Sequence, residues 1–196
     1  MSDFKNYRLS IVSMETHNQK LILIVEKAPL PKKGRFGSER IQEWYLAVKM
    51  AVSLAKKYDG AKLMLVTSFA VPGEGSEMDH YLGVLSRDFG ISADTVEKIH
   101  SGLDTIGQLE LADKYARDNG VDLIVVCTLW NSLRIKYLVW RGKIKAEVVV
   151  SKWGIPRPRE ALTDIVLTFI FPVIDLLGGR NWFLRKTRER RAKGKL

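Results

Sequence analysis

Short apolar runs rich in β-branched residues alternate along this chain with segments whose apolar residues recur every three or four positions. The runs at residues 21–25, 62–67, 122–128 and 145–150 have the length and composition of strands, and the first of them is expected to be buried on both faces. Strands that alternate with helices are typical of βαβ units, whose right-handed crossovers place helices on both faces of a parallel sheet. The alternation predicts an α/β fold with a mainly parallel sheet of about four or five strands.

The segments between these runs carry helical periodicity. Helices are predicted over residues 38–57, from 76 to about 89, from 105 to the Asn119-Gly120 turn, over 131–141 and over 158–177. Two of them begin with a capping-box pattern, Ser76 with Asp79 and Thr105 with Gln108. Residues 8–13 are a candidate extra edge strand.

The length of 196 residues fits one domain with an appendage. We expect an α/β domain over residues 1–178, with its core at 21–150, and a basic tail over 179–196. The single cysteine, Cys127, lies in an apolar run, which indicates a buried structural thiol and no intrachain disulfide. The N-terminal residues lack the apolar core of a secretory signal, so we expect a cytoplasmic protein.

Positive charge is concentrated at the C-terminus of a chain whose formal net charge is +10. The basic residues there are Arg180, Arg185, Lys186, Arg188, Arg190, Arg191, Lys193 and Lys195. This cluster predicts contact with nucleic acid or an anionic membrane surface, or else a solvated, disordered end that aids solubility. The preceding segment, 158–177, is expected to pack as a helix. An interfacial membrane helix is the alternative, because Trp182 and the basic tail follow it.

Three polar residues after the third apolar run are candidates for ligand binding. In parallel α/β sheets, ligands bind beyond the carboxyl ends of the strands, where helix N-termini present free amides. Thr128, Asn131 and Arg134 have a spacing of three there, which turns their side chains toward one face of a helix. Arg134 can hold a phosphate or carboxylate through two hydrogen bonds, and Asn131 can both donate and accept. The alternative is that Thr128 caps the helix and Arg134 makes a surface ion pair.

The familiar catalytic and metal-binding signatures are missing from the sequence. It has no GxGxxG, Walker A, HExxH or GxSxG pattern. The histidines, His17, His80 and His100, lack metal-ligand spacing, so no metal site is predicted. His80 is a candidate base, although a lone histidine on a helix is more commonly a surface residue. The sequence leaves open whether any reaction is catalysed.

Four segments within residues 21–150 resemble, in order and spacing, motifs of the YdcF-like family. They are Ser38-Glu39-Arg40, Ser76-Glu77, Asp104-Thr105-Ile106-Gly107-Gln108 and the stretch VCTLWNSLR at 126–134. The corresponding family segments read approximately R-x-x-x-A, S-E-A, N-T-x-E-N and V-T-S-x-x-H-x-x-R. The resemblance implies a Rossmann-like fold with a cofactor-binding site. The site residues that it implies are Arg40, Ser76, Glu77, Thr105, Thr128 and Arg134. Gln108 and Asn131, which stand at motif positions where this chain departs from the family, complete the expected cofactor-binding set.

The resemblance also implies a ligand class. At least one relative binds S-adenosylmethionine, so S-adenosylmethionine or a nucleotide is the expected cofactor, and membrane-anchored relatives have envelope-related roles. Three departures occur: Glu26-Lys27-Ala28 replaces the glycine-rich turn after the first strand, Gly107-Gln108 replaces the Glu-Asn pair, and Asn131 replaces the histidine. If that histidine does acid-base work in relatives, this chain has lost it.

Three functions therefore remain open from the sequence. The first is a small-molecule binding protein or enzyme whose ligand carries an adenosyl, phosphate or carboxylate group. The second is nucleic-acid or anionic-membrane binding through the basic tail. The third is a degenerate, non-catalytic member of the family that serves protein interactions.

Overall fold

A computed structural model describes residues 19–25, 39–67, 70–71, 75–101, 104–154 and 158–192 of the chain. In chain order, the strands within these residues are β1 (Lys20–Ile24), β2 (Lys62–Val66), β3 (Ala70–Val71), β4 (Gly75–Ser76), β5 (Val96–Ile99), β6 (Asp122–Cys127) and β7 (Ala146–Val150). β3 and β4 pair as a small antiparallel hairpin. The other five form one sheet in the order β5-β2-β1-β6-β7, in which every neighbouring pair is parallel. The predicted Rossmann-like α/β fold is confirmed.

Helices cover both faces of this sheet. They are α1 (Glu43–Lys57), α2 (Glu77–Phe89), α3 (Thr105–Asp118), α4 (Leu129–Arg141), α5 (Pro158–Leu176) and α6 (Arg180–Ala192). α1 and α2 pack on one face, whereas α3, α4, α5 and α6 contribute to the apolar layer on the other. Among the helices that the structure describes, none has both the length and the apolar composition needed to cross a membrane.

Side chains of β1 point alternately into the two apolar layers. Ile22 and Ile24 pack with α1 and α2, whereas Leu21 and Leu23 pack with α3 and α4. All four are buried. Because both faces of the strand are covered, its sequence is a continuous apolar run and does not alternate with polar residues.

The direction of strand addition reverses between β1 and β6. From β1 the chain moves outward through β2 to β5, and it then returns to place β6 on the other side of β1. The connection after β1 leads to α1 on one face, whereas α4 follows β6 on the opposite face. The two strand exits therefore diverge at the carboxyl edge of the sheet, which is the position where open parallel sheets bind ligands.

The starts of α1 and α4 and the cap of α3 differ from the sequence prediction, whereas the start of α2 agrees with it. α1 begins at Glu43, later than predicted, because a 3-10 turn at Glu39–Ile41 precedes it. α3 is capped by Asp104, whose Oδ1 accepts a hydrogen bond from the Gly107 amide at 2.7 Å, so the capping box assigned to Thr105 is wrong by one residue. α4 begins at Leu129, earlier than predicted, because the residue after β6 already adopts the extended conformation of an N-cap. α2 begins as predicted, since the Ser76 hydroxyl accepts from the amide three residues on.

β5 is an edge strand that the sequence analysis does not predict. It has four residues and lies beside β2. Glu97 and Lys98 stand between its apolar ends, and Glu97 pairs with Lys62 of β2 at 2.7 Å. Such a strand shows no apolar run because charged side chains can remain at a sheet edge. The candidate edge strand at residues 8–13 lies outside the described residues.

Helix α6 occupies most of the segment predicted as a basic tail. Arg180 and Arg188 form ion pairs with Glu110 and Asp104 of α3. Phe183 packs into the apolar layer that α3 and α4 share. Over residues 180–192, therefore, the alternative of a disordered end is wrong: tertiary contacts fix a helix that charge patterning alone does not reveal.

Gly154 follows β7 and lies against the first residue of α1. A Cβ atom at this position would stand 2.9 Å from the backbone N and Cα atoms of Glu43. Those atoms belong to a helix start and cannot rotate away. We expect Gly154→Ala to lower the free energy of unfolding by about 1–3 kcal/mol, as overpacking does at other closely packed positions. Urea denaturation measures the change.

Gly83, on the exposed face of α2, is the matched control for this substitution. A Cβ atom there meets nothing within 4 Å. Gly83→Ala is expected to raise the free energy of unfolding by about 0.5–1 kcal/mol, because alanine favours helical backbone. If Gly154→Ala were as stable as the wild type, the close contact with α1 would be contradicted.

Candidate functional site

Most buried polar side chains of the described residues gather at the carboxyl edge of the sheet. They either follow a strand directly or lie near the start of the next helix. These residues are Gln42, Thr67, Glu77, Asp104, Gln108, Thr128, Asn131, Arg134 and Ser151. Burying polar groups costs free energy unless they are hydrogen-bonded, so their concentration at one edge marks it as the candidate site.

Three of these residues belong to the start of α4. Thr128 is the N-cap residue, but its side chain makes no capping hydrogen bond. Asn131 is 3% exposed and Arg134 is 8% exposed. Because Cα–Cβ bonds tilt toward the N-terminus of a helix, the Arg134 side chain leans toward the carboxyl end of β6. Thr128 thus occupies the N-cap position without a side-chain capping hydrogen bond. Arg134 is buried, so the alternative that it makes a surface ion pair is wrong.

The start of α4 is an electropositive corner of the edge. The Arg134 guanidinium presents a planar fork of N–H donors that matches a phosphate or a carboxylate. The α4 N-terminus adds free amides and the positive end of a helix dipole. Asn131 lies between them and offers a donor and an acceptor on one side chain. This arrangement is chemically suited to an anionic group.

A buried carboxylate lies across the same edge, after β2. The Thr67 hydroxyl donates a hydrogen bond to Glu77 Oε2 at 2.6 Å, and both residues are buried. Glu77 is the first residue of α2, where the helix dipole favours negative charge. The neighbouring Ser76 hydroxyl, a predicted site residue, caps α2 by accepting from the Asp79 amide at 3.0 Å. The edge thus carries both a buried guanidinium and a buried carboxyl group.

The first turn of α1 adds a polar and aromatic group. Gln42 Oε1 accepts a hydrogen bond from Trp44 Nε1 at 2.9 Å, and the Trp44 ring lies 5.1 Å from the His80 ring. His80, the candidate base, is half-buried against this tryptophan. Gln42 and Trp44 are not among the predicted site residues. A glutamine before an amphipathic helix and a tryptophan on the apolar side of that helix are both common in sequences and do not indicate a binding site.

Arg40 is the predicted site residue that the structure separates from the buried groups. It is exposed, and its charge acts on Tyr45 and on Asp88 in the last turn of α2. A hydrogen bond from Arg87, followed by one from Tyr45, lowers the pKa of Asp88 below its usual value. Arg40 therefore belongs to a surface network of charges and not to the buried group around Arg134.

The remaining predicted residues lie at the start of α3. Gln108 is buried and Thr105 is half-buried. Asp104 shares its carboxylate between two partners: Oδ1 caps α3, and Oδ2 accepts from Arg188 Nε of α6 at 2.5 Å. That hydrogen bond raises the pKa of Arg188. The last helix thus reaches the edge where the candidate site lies.

The described ranges contain no group of three or more His, Cys, Asp and Glu side chains that could hold a metal ion. In comparisons with known proteins, no family model, no curated protein and no solved structure matches this chain. Evidence for a function therefore comes from the geometry of the carboxyl edge.

The hydrogen bond between Thr67 and Glu77 gives a test of how firmly this edge is built. Thr67→Val keeps the shape of the side chain but removes a donor to a buried carboxylate. We expect the free energy of unfolding to fall by about 1–3 kcal/mol, the usual cost of depriving a buried polar group of a partner. Chemical denaturation at neutral pH measures the difference.

Thr95 provides the control, since its hydroxyl donates to the Ser92 carbonyl at 2.7 Å in an exposed turn. Water can replace that hydrogen bond, so Thr95→Val should change stability by less than about 0.5 kcal/mol. Equal effects of the two substitutions on the free energy of unfolding would show that the buried hydrogen bond between Thr67 and Glu77 contributes no more to stability than an exposed one does.

Proposed function

We propose that this protein binds a small molecule at the carboxyl edge of its sheet, and that the ligand carries a phosphate or carboxylate group. The observation that carries this proposal is the burial of Arg134 in the second turn of α4. This turn follows β6, one of the two strands whose exits diverge. A guanidinium at such a position adds its planar fork of N–H donors to the free amides of the helix start, and both suit an anionic group.

Glu77 is proposed to bind the part of the ligand that does not carry the anionic group. In dinucleotide-binding sheets, a carboxylate beyond the second strand accepts hydrogen bonds from ribose hydroxyls. Glu77, bonded to Thr67 at the end of β2, offers a carboxylate next to the corresponding strand. An acceptor near β2 and an anion-binding corner after β6 suit a ligand that combines a ribose or an ammonium group with an anionic group.

S-adenosylmethionine and nucleotides have this combination of groups. The same ligand class follows from the resemblance to the YdcF-like family, which we retain as part of the proposal. No reaction is assigned, because the amide of Asn131 cannot take up a proton where the resembled motif has a histidine. The proposal is therefore ligand binding, with or without subsequent chemistry.

Replacing Arg134 tests the anion-binding corner. We expect S-adenosylmethionine or one of the adenine nucleotides AMP, ADP and ATP to raise the melting temperature of the wild type, because a ligand that binds the folded state stabilises it. Arg134→Ala should weaken the binding of that ligand by about 1.5–3 kcal/mol, the contribution of a hydrogen bond to a charged group. Titration calorimetry, performed below the melting temperature of each variant, gives the affinities.

Lys136→Ala is the control, because Lys136 is an exposed cation on the same helix. Lys136→Ala should bind the ligand as tightly as the wild type does. The affinity of Arg134→Lys should fall between those of the wild type and Arg134→Ala, since lysine keeps the charge but not the planar fork. If none of these compounds stabilises the wild type, or if Arg134→Ala binds as tightly as Lys136→Ala, the proposed ligand class or the proposed role of Arg134 is wrong.

A further inference from the structure

Among the side chains of α5 that the structure describes, those on the outer face are apolar from residue 162 to residue 176. Every side chain of α5 that the structure describes as exposed is leucine, isoleucine, valine or phenylalanine. They include Leu162, Val166, Phe169, Ile170, Val173 and Leu176. Their spacing of three and four residues makes one continuous stripe, and Phe169 within it is 68% exposed. We call this surface the α5 stripe.

The polar contacts of α5 are on its opposite face. Asp175 is buried, and its Oδ2 accepts hydrogen bonds from the Tyr137 hydroxyl at 2.7 Å and from Arg141 Nε at 3.2 Å, both on α4. Phe171, also buried, lies on the same side and packs against α6. These contacts fix the rotation of α5 about its own axis. The helix therefore turns its apolar stripe to solvent, which is the reverse of an ordinary surface helix.

A cationic helix, α6, follows α5 and packs with it in the same apolar layer. α6 begins after a short turn, and the ring of Phe183 lies 5.3 Å from that of Phe171. Arg185 and Lys186 of α6 are exposed and pair within the helix with Glu189, at 4.0 and 3.4 Å. An exposed tryptophan, Trp182, stands in the first turn of α6. Apolar, aromatic and cationic side chains thus occur together on the last two helices.

We propose that the α5 stripe and α6 form a docking surface for an anionic lipid membrane. The stripe enters the boundary between headgroups and acyl chains, and the cationic side chains of α6 contact lipid phosphates. Stable attachment to a membrane surface requires two such signals, apolar burial and a basic cluster. Tryptophan is favoured at this boundary because its ring is amphipathic. Surface docking also agrees with the absence, among the described helices, of one that could span a bilayer.

Charge favours a membrane over the two other candidate occupants. A second copy of this chain would bring two cationic helices toward each other in a protein whose net charge is already +10, and like charges oppose such a contact. The phosphates of a nucleic acid would pair with the cationic side chains of α6 but would leave the apolar α5 stripe exposed to water. An anionic bilayer would both bury the apolar stripe and pair its phosphates with the cations of α6.

Vesicle flotation with the full chain tests the proposal. The wild type should float with phosphatidylcholine vesicles that contain phosphatidylglycerol and should not float with phosphatidylcholine alone. Its tryptophan fluorescence should move to shorter wavelength on binding, and part of the binding should persist at high salt, since apolar burial is not screened. Failure of the wild type to bind the anionic vesicles would overturn the proposal.

Substitutions in the α5 stripe separate insertion from simple ionic contact. Phe169→Ser combined with Val173→Ser should lower partitioning into anionic vesicles by at least about tenfold, because two apolar side chains no longer leave water. Ile41→Ser is the control, since Ile41 is exposed just before α1, on the opposite face of the sheet. All these side chains are exposed, so melting temperatures should remain close to that of the wild type. Unchanged vesicle binding by the double variant would overturn the role of the stripe.

Substitutions in α6 test the ionic part. Arg185→Gln with Lys186→Gln should lower vesicle binding at low salt by about tenfold or more, because each cation near an anionic membrane contributes to attraction. Lys49→Gln with Lys56→Gln removes the same charge from the exposed side of α1 and should leave binding unchanged.

The alternative occupants predict other outcomes. If light scattering shows a wild-type dimer that Phe169→Ser with Val173→Ser converts to a monomer, while vesicles are ignored, the occupant is a second copy. If the protein binds duplex DNA but no vesicles, the occupant is nucleic acid. Either result overturns the membrane proposal. It would leave the proposed small-molecule site untouched, because none of these variants alters a residue at the carboxyl edge.

Discussion

The exclusion of water from both faces of β1 is the constraint on which the rest of this structure depends. Ile22 and Leu23 are fully buried in opposite directions, so two separate apolar layers must be built. Parallel neighbours can be joined to β1 only through crossover connections, and each crossover delivers a helix to one face. The reversal between β1 and β6 divides those helices between the faces. The diverging strand exits, and the polar side chains gathered around them, follow from that division.

How much of the fold can be predicted from the sequence depends on where each element is buried. β1, β2 and β6 are covered on both faces and appear as uninterrupted apolar runs. β5 has Glu97 and Lys98 between apolar ends and looks like part of a loop. The packing of α6 cannot be predicted from local sequence patterns, because it depends on a contact between Arg188 and Asp104, 84 residues earlier in the chain. From its charge composition alone, that segment is predicted to be a basic tail.

The candidate site could be predicted in part. Strand order along the sequence places Glu77 and Arg134 near carboxyl ends of parallel strands, which is a topological argument and needs no coordinates. Their burial, and the hydrogen bond from Thr67, could not be predicted, because they depend on how α2 and α4 lie on opposite faces. Arg40, by contrast, matches a motif in the sequence but is exposed and acts on surface charges in the structure. Gln42 is buried with no sequence signal at all.

Asp104 joins two parts of the molecule through a single carboxylate. One oxygen holds the Gly107 amide at the start of α3, and the other holds the guanidinium of Arg188 near the end of α6. Two contacts that share one acceptor are thermodynamically linked. Drawing Arg188 toward a different anion removes a partner from the cap of α3, and rearranging the start of α3 alters the hold on α6. By reciprocity the two effects have the same free energy, so events at the last helix and events at the start of α3 influence each other to an equal extent.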